Sequence, residues 1–189
     1  MKRINGFLVV VILIVLVGLI FLVKLSSVEE EPRKSKEEDI NYIDFTSYDK
    51  KFTIRTSKDW NIVENRKSLN KEANLELYND NLNAYFLLVV NSKIDYKNNF
   101  NTYKKEVFKQ KEEQYKIKIK EYKHTVINNY NWDYIEFNYI NENNINTYIR
   151  AYAIETRDYY GQILLWTIAS NKEKADTEFD NIINKFSEI

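Results

Sequence analysis

The chain of 189 residues has no cysteine, three glycines, one proline and one histidine. Without a thiol there is no disulfide, no thiolate nucleophile, no zinc–thiolate centre and no cysteine to carry a lipid. Gly6, Gly18 and Gly161 are too scattered to build the consecutive glycine turns that let backbone amides close on phosphates, which argues against nucleotide hydrolysis and Rossmann-type cofactor binding. Net charge is missing as well. Lys plus Arg and Asp plus Glu both total 28, and cutting the chain after Asp39 leaves six of each sign before the cut and 22 of each after it. No charged arm hides inside the neutral average, so a nucleic-acid partner is not expected.

Catalytic chemistry is equally short of parts. His124 is the single imidazole, in "EYKHT", on a predicted strand and away from any serine elbow, so it reads as a surface or half-buried strand residue. No D-x-D-x-D-G loop or H-E-x-x-H helix occurs, and neither a metal nor another cofactor is expected. Glu136, Glu142, Glu155 and Asp158 lie on predicted neighbouring strands, but Asp133 alternates away from Glu136 and no facing pair suited to glycoside chemistry is evident. The reading is a protein that is not an enzyme.

What is present falls into three parts. Residues 7–23, FLVVVILIVLVGLIFLV, form an unbroken apolar run of 17 residues, about 26 Å long as a helix and at the short end of the bilayer-spanning range. Lys2 and Arg3 precede it directly, the pattern of an uncleaved signal-anchor. The expectation is a cytoplasmic tail over residues 1–6, a transmembrane helix over 7–23 in contact with the lipid bilayer, and a charged flexible linker over 24–41 that includes Pro32. Residues 42–189 are then an extracytoplasmic domain on a bacterial cell membrane.

Within that domain two periodicities alternate. Period-2 patterns predict strands at "FTIRT", "WNIV", Leu75 to Leu77 and the continuous run "AYFLLVV". Phe100, Tyr103, Val107 and Tyr115 then trace a helix of about four turns behind Asn98-Asn99. Strands resume over "IKIKEYKHTVI", "YNWDYIEFNYI", "INTYIRAYAIET" and "YYGQILLWTIA", joined by short Asn-rich or charged turns, which predicts an antiparallel meander. Ser170 and Glu173 have capping-box spacing, and Ala175, Phe179, Ile182, Ile183 and Phe186 form one helical stripe that closes over a buried strand ending at Trp166. The fold class is α+β, an antiparallel β-sheet with two packing helices.

Fifteen tyrosines are the unusual element of the composition. Tyr130, Trp132 and Tyr134 share one strand face, and Tyr148 and Tyr152 repeat the spacing on the next strand, which makes them the candidate ligand or partner face. The bland reading is that the same rings fill the core beneath a helix.

"FTIRTSKDW", "DYKNNFNTYKKEV", "YYGQILLWTIAS" and "FDNIINKF" together resemble the PsbP-like proteins over about Lys51 to Phe186. The resemblance implies an α/β/α sandwich used as a docking or assembly module, with no shared active site and no functional residue to transfer. Taken with the apolar run, the first reading is a non-enzymatic, membrane-anchored binding or assembly module that holds an envelope protein. The tyrosine face gives an alternative, binding of cell-wall polysaccharide or peptidoglycan. A more distant alternative is a pseudopilin-like protein, because Gly6-Phe7 opening an apolar run resembles the pilin processing junction, although Val11 stands where that motif has Glu.

Overall fold

The computed structural model describes residues 41–65 and 67–189. The expected tail, anchor and nearly all of the linker lie outside the described residues, and among the described residues no helix is long and apolar enough to cross a membrane. Ten strands and two helices follow one another as β1 (Tyr42–Thr46), β2 (Phe52–Ser57), β3 (Trp60–Ile62), β4 (Leu75–Asn79), β5 (Ala84–Ser92), α1 (Phe100–Tyr115), β6 (Lys123–Ile127), β7 (Tyr130–Ile140), β8 (Asn146–Glu155), β9 (Tyr159–Ile168), α2 (Lys172–Asn184) and β10 (Phe186–Glu188). Seven strands form one sheet in the order β3-β4-β5-β9-β8-β7-β6, with every neighbouring pair antiparallel. The α+β class and the two packing helices are therefore as the periodicities indicate.

Because successive side chains on a strand point to opposite faces, the large sheet carries two separate cores. On one face Trp132, Tyr148, Tyr152, Ile154, Ile163 and Leu165 pack with Phe179, Ile182 and Ile183 of α2. On the other, Ile135, Ile149, Ala151, Ala153 and Leu164 pack with Tyr103, Val107 and Phe108 of α1. Gly161 in β9 is fixed by this packing, since a Cβ there would stand 2.9 Å from Ile154 Cγ1 and 3.2 Å from Val90 Cγ1.

Helix α1 starts as its sequence indicates, with Asn99 Oδ1 accepting the Thr102 amide at 3.0 Å. It ends at Lys116 in the left-handed conformation, φ 54°. The β6–β7 turn places Asn128 and Asn129 at φ 53° and 65°, the two consecutive positive angles of a type I′ hairpin turn, which asparagine tolerates better than other side chains.

Four expectations need correction. A second sheet exists: β1, β2 and β10 form a three-stranded sheet in the order β1-β2-β10. Phe186, expected on the terminal helical stripe, opens β10 and pairs with Ile54. It still reaches the α2-side core, stacked on Phe52 with ring centroids 5.3 Å apart, so its apolar character is explained by either assignment.

The strand expected across residues 117–127 is regular only from Lys123. Upstream, the Ile117 amide bonds the Glu112 carbonyl at 3.2 Å and the Ile119 amide bonds the Glu112 carboxylate at 2.7 Å. Ile117 and Ile119 pack on the α1-side core while Lys118 and Lys120 stay exposed. The alternation is satisfied by burial without a ladder.

The Ser170/Glu173 capping box does not form either. Residues Ala169–Asn171 make a 3-10 turn, and the residue that precedes α2 is Asn171, which makes no side-chain cap bond. Its amide donates instead to the Leu82 carbonyl at 2.8 Å, joining the start of α2 to the β4–β5 turn.

Candidate functional site

Alternation and register bring the five predicted residues to one face: Tyr134 pairs with Tyr152 and Trp132 with Ile154. That face is the one α2 covers. Trp132 is 0%, Tyr148 2% and Tyr152 3% exposed, so the five rings do not form an open platform. Trp132 meets Tyr152 edge-on at 5.8 Å and Phe186 at 5.5 Å, and its indole donates to the Ile127 carbonyl at 3.2 Å. The Tyr130 hydroxyl accepts the Glu188 amide at 3.1 Å, tying the large sheet to β10. Tyr134, stacked on Tyr152 at 5.1 Å, is half-buried and borders a cavity of about 340 Å³ with Arg150 and Asp180.

Arg150 is the polar centre of this side. Its guanidinium lies 2.5 Å from Asp180 Oδ1 and 2.8 Å from Asp176 Oδ1, two carboxylates one helical turn apart on α2. Its Nε donates to the Tyr148 hydroxyl at 2.7 Å, and that hydroxyl donates to Glu136 Oε2 at 2.7 Å. Burial by itself would lower the guanidinium pKa, but the Tyr148 bond and the surrounding anions hold it above its ordinary value. Burial also pushes the Tyr152 hydroxyl up to about 12. Burial would raise the Glu136 carboxyl, yet hydrogen bonds from Lys123 and Tyr148, with Arg150 nearby, leave it below the usual carboxylate range. Every charge in the chain of contacts has a counter-charge. The network is a strut between α2 and β8.

His124 sits on β6 with its Nδ1 3.3 Å from Asp133 Oδ1, and Lys104 of α1 holds the other oxygen of that buried carboxylate at 3.1 Å. Among the described residues no hydroxyl is hydrogen-bonded to the imidazole, and no group of three His, Asp or Glu side chains is placed to hold a metal ion. Glu155 is engaged by Lys93 at 3.2 Å and Asp158 by Arg157 at 3.0 Å.

The opposite face carries a different arrangement. Beside the C-terminal half of α1 lies a groove of about 300 Å³, at the lower limit of the usual range for small-ligand sites, about 300–1,000 Å³. Helix α1 contributes Lys111, Gln114 and Tyr115, and the sheet contributes Leu87, Leu164 and Trp166. Asn70, Asn141 and Thr147 add amides and a hydroxyl. Burial pushes the Tyr115 hydroxyl up to about 12, and its ring meets Tyr139 edge-on at 5.1 Å. Trp166 is stacked on its β5 register partner Tyr85, 5.1 Å apart and 12° from parallel. Both rings are half-buried. The loop forming one wall is clamped by the fully buried Glu76, whose carboxylate accepts the amides of Lys67, Leu69 (2.9 Å) and Asn70 (3.0 Å).

Lys111 is the anomaly of the groove. It is only 9% exposed and makes no hydrogen bond or ion pair with the described residues, and burial alone lowers its pKa. No Asp or Glu lines the groove. The Lys111 stem is buried while its Nζ is not among the buried unpaired polar atoms, so the ammonium opens to the groove without a counter-ion, in surroundings that disfavour its charge.

Tyr85, Lys111 and Trp166 are not among the predicted site residues. The terminal stripe suggests that α2 closes over Trp166, but β9 alternation turns Leu165 toward α2 and Leu164 and Trp166 toward α1. The sequence does carry a signal for Lys111. It occupies the stripe Tyr103, Val107, Lys111, Tyr115 at intervals of four, where the helical period calls for an apolar residue.

No family model matches the sequence, and no curated protein does. Solved structures match the fold. Cyanobacterial PsbP (CyanoP) from Synechocystis sp. PCC 6803 gives a TM-score of 0.58 at 8% identity, over 79% of this chain and 94% of that one. The Ran-binding protein Mog1p of Saccharomyces cerevisiae gives 0.52 at 9% identity, over 78% and 95%. LpqN of Mycobacterium tuberculosis, involved in cell envelope biogenesis, gives 0.52 at 8% identity, over 80% and 92%. A larger protein from Bacteroides thetaiotaomicron matches at 0.52 and 14% identity, and the chain spans 48% of its length. Two helices flanking a seven-stranded antiparallel sheet, in the arrangement shared with these structures, identify the described residues as a PsbP-like fold.

Proposed function

We propose that the chain is a non-enzymatic binding module of the bacterial cell envelope. Residues 7–23 hold it in the membrane, residues 1–6 lie in the cytoplasm, and the PsbP-like domain faces outward. The observation that carries the binding role is the groove beside α1, where half-buried Trp166 and Lys111, a largely buried lysine without a counter-ion, line one concavity. A fold whose structural neighbours include a Ran-binding protein and a protein involved in envelope biogenesis supports a holding or assembling role. The apolar run and its Lys-Arg flank support the anchor.

The shape of the groove favours a wall glycan over a protein partner. A stable protein interface takes about 800 Å² from each side, whereas a small concavity with flat rings, amides and hydroxyls suits a sugar, whose C–H face lies on a ring while its hydroxyls bond to the rim. The test is tryptophan emission of the full-length chain in detergent, titrated with solubilised cell-wall fragments. Trp60 and Trp132 are 1% and 0% exposed, so Trp166 is the reporting indole. A saturable shift in the wild type that disappears in Trp166→Phe is expected. A shift that survives in Trp166→Phe, or no shift at all, contradicts the reading.

A further inference from the structure

The groove beside α1 has a specific electrostatic character that the general binding role does not name. Lys111 projects from an apolar helical stripe into a cavity lined by no Asp or Glu, and it finds no counter-ion among the described residues. Of the other lysines on α1, Lys104 pairs with Asp133 at 3.1 Å, Lys109 lies 3.8 Å from Glu113 and Lys105 is exposed to solvent. A position that breaks the helical pattern without an internal compensation is where a fold serves a ligand and not its own stability.

We infer that the groove takes an acidic sugar, a pyranose bearing a carboxylate, with its ring on Trp166 and its carboxylate on the Lys111 ammonium. The inference rests on the glycan reading of the groove and adds the charge of the ligand. Each part of the lining has a role in that assignment. Trp166, held by its stack on Tyr85, contributes an aromatic ring to the lining. Gln114, Asn70, Asn141 and Thr147 offer neutral donors and acceptors for hydroxyl groups. Lys111 supplies one positive charge, matching the single charge of a carboxylate. A phosphate carries about 1.5 to 2 negative charges and is ordinarily met by several cations or a row of backbone amides, neither of which lines this groove. Desolvation strengthens the ion pair, because a bound carboxylate neutralises a charge that the free protein holds in a poorly solvated place.

The experiment compares two probes with the same sugar backbone, trigalacturonate and its fully methyl-esterified form, in which each carboxylate is replaced by an uncharged ester. Both are titrated by tryptophan fluorescence into the full-length chain in detergent and into the variants Lys111→Met and Lys105→Met. Lys105 is exposed on the same helix and controls for general attraction. The acid is expected to bind the wild type at least tenfold more tightly than the ester. That preference is expected to vanish in Lys111→Met and to persist in Lys105→Met, with both variants folded by circular dichroism. Equal binding of acid and ester by the wild type overturns the acidic assignment and leaves a neutral-glycan groove standing. A preference for the acid that Lys111→Met retains overturns the assignment of the charge to Lys111. Failure of both probes where wall fragments bind overturns the acidic-sugar class, and failure of probes and wall fragments together overturns the glycan reading with it.

Discussion

At the residue scale, Lys111 sets function against stability. Replacing it with methionine keeps an unbranched stem one atom shorter and removes an uncompensated charge from a residue that is 9% exposed, so Lys111→Met is expected to gain about 1 kcal/mol in chemical denaturation. The gain should depend on pH in a defined direction. The folded lysine has a pKa below its ordinary 10.5, so between the folded and unfolded values the unfolded chain binds more protons and wild-type stability rises with pH. The advantage of Lys111→Met is therefore largest at neutral pH and shrinks as pH approaches 10.5. Tyr115 and Tyr152, held up at about 12 by burial, pull stability the other way above pH 10, but they are common to both proteins and cancel in the difference. A destabilised Lys111→Met would mean that the ammonium has a compensating partner. Lys111 was legible in the sequence as a polar residue on an apolar stripe. That nothing answers its charge was not legible, because the groove is lined from α1, β5, β7, β8, β9 and a loop brought in by Glu76.

At the element scale, the β6–β7 turn separates two uses of asparagine. Asn129 supplies only a left-handed backbone, φ 65°, so Asn129→Gly is expected to stabilise the fold by about 0.5 kcal/mol. Asn128 also donates its amide to the Asn184 and Phe186 carbonyls at 2.9 and 3.0 Å, pinning the hairpin to the end of α2. Asn128→Gly is expected to lose about 1 kcal/mol despite the same backbone relief. Thermal unfolding of the two variants checks the contrast, and equal effects would contradict it. The elements read most directly from sequence are those whose signals are local. Helix α1 has its Asn cap and its stripe, and the three meander hairpins have short turns between alternating runs. Elements whose identity depends on a distant partner were not legible. β10 exists because the edge of β2 accepts Phe186 to Glu188, and in the stretch 117–122 the Ile117 and Ile119 amides go to Glu112 and not to a neighbouring strand. The tyrosine face shows the same limit. Alternation places Tyr130, Trp132 and Tyr134 on one side, but which helix covers that side is a tertiary fact.

At the scale of the whole molecule, the two faces of the large sheet use their side chains differently. The α2 side spends its rings and charges internally, through Trp132, Tyr148, Tyr152 and the Arg150 network, and is the side that holds the fold together. The α1 side covers part of the sheet and leaves the aromatic groove beyond it. On the proposed topology, with the apolar run of residues 7–23 behind a cationic tail, protease added to intact cells whose outer surface is accessible is expected to digest residues 42–189. Protection until the membrane is opened would reverse that topology. The central claim is that recognition occurs at the α1 side and nowhere else. Hydrogen exchange on the full-length chain in detergent, with and without solubilised wall fragments, measures it most directly. The account predicts slowed exchange confined to the C-terminal half of α1, the Leu164 to Trp166 end of β9 and the loop over Asn70. Slowed exchange around Tyr134 and α2 with the α1 side unchanged would contradict it.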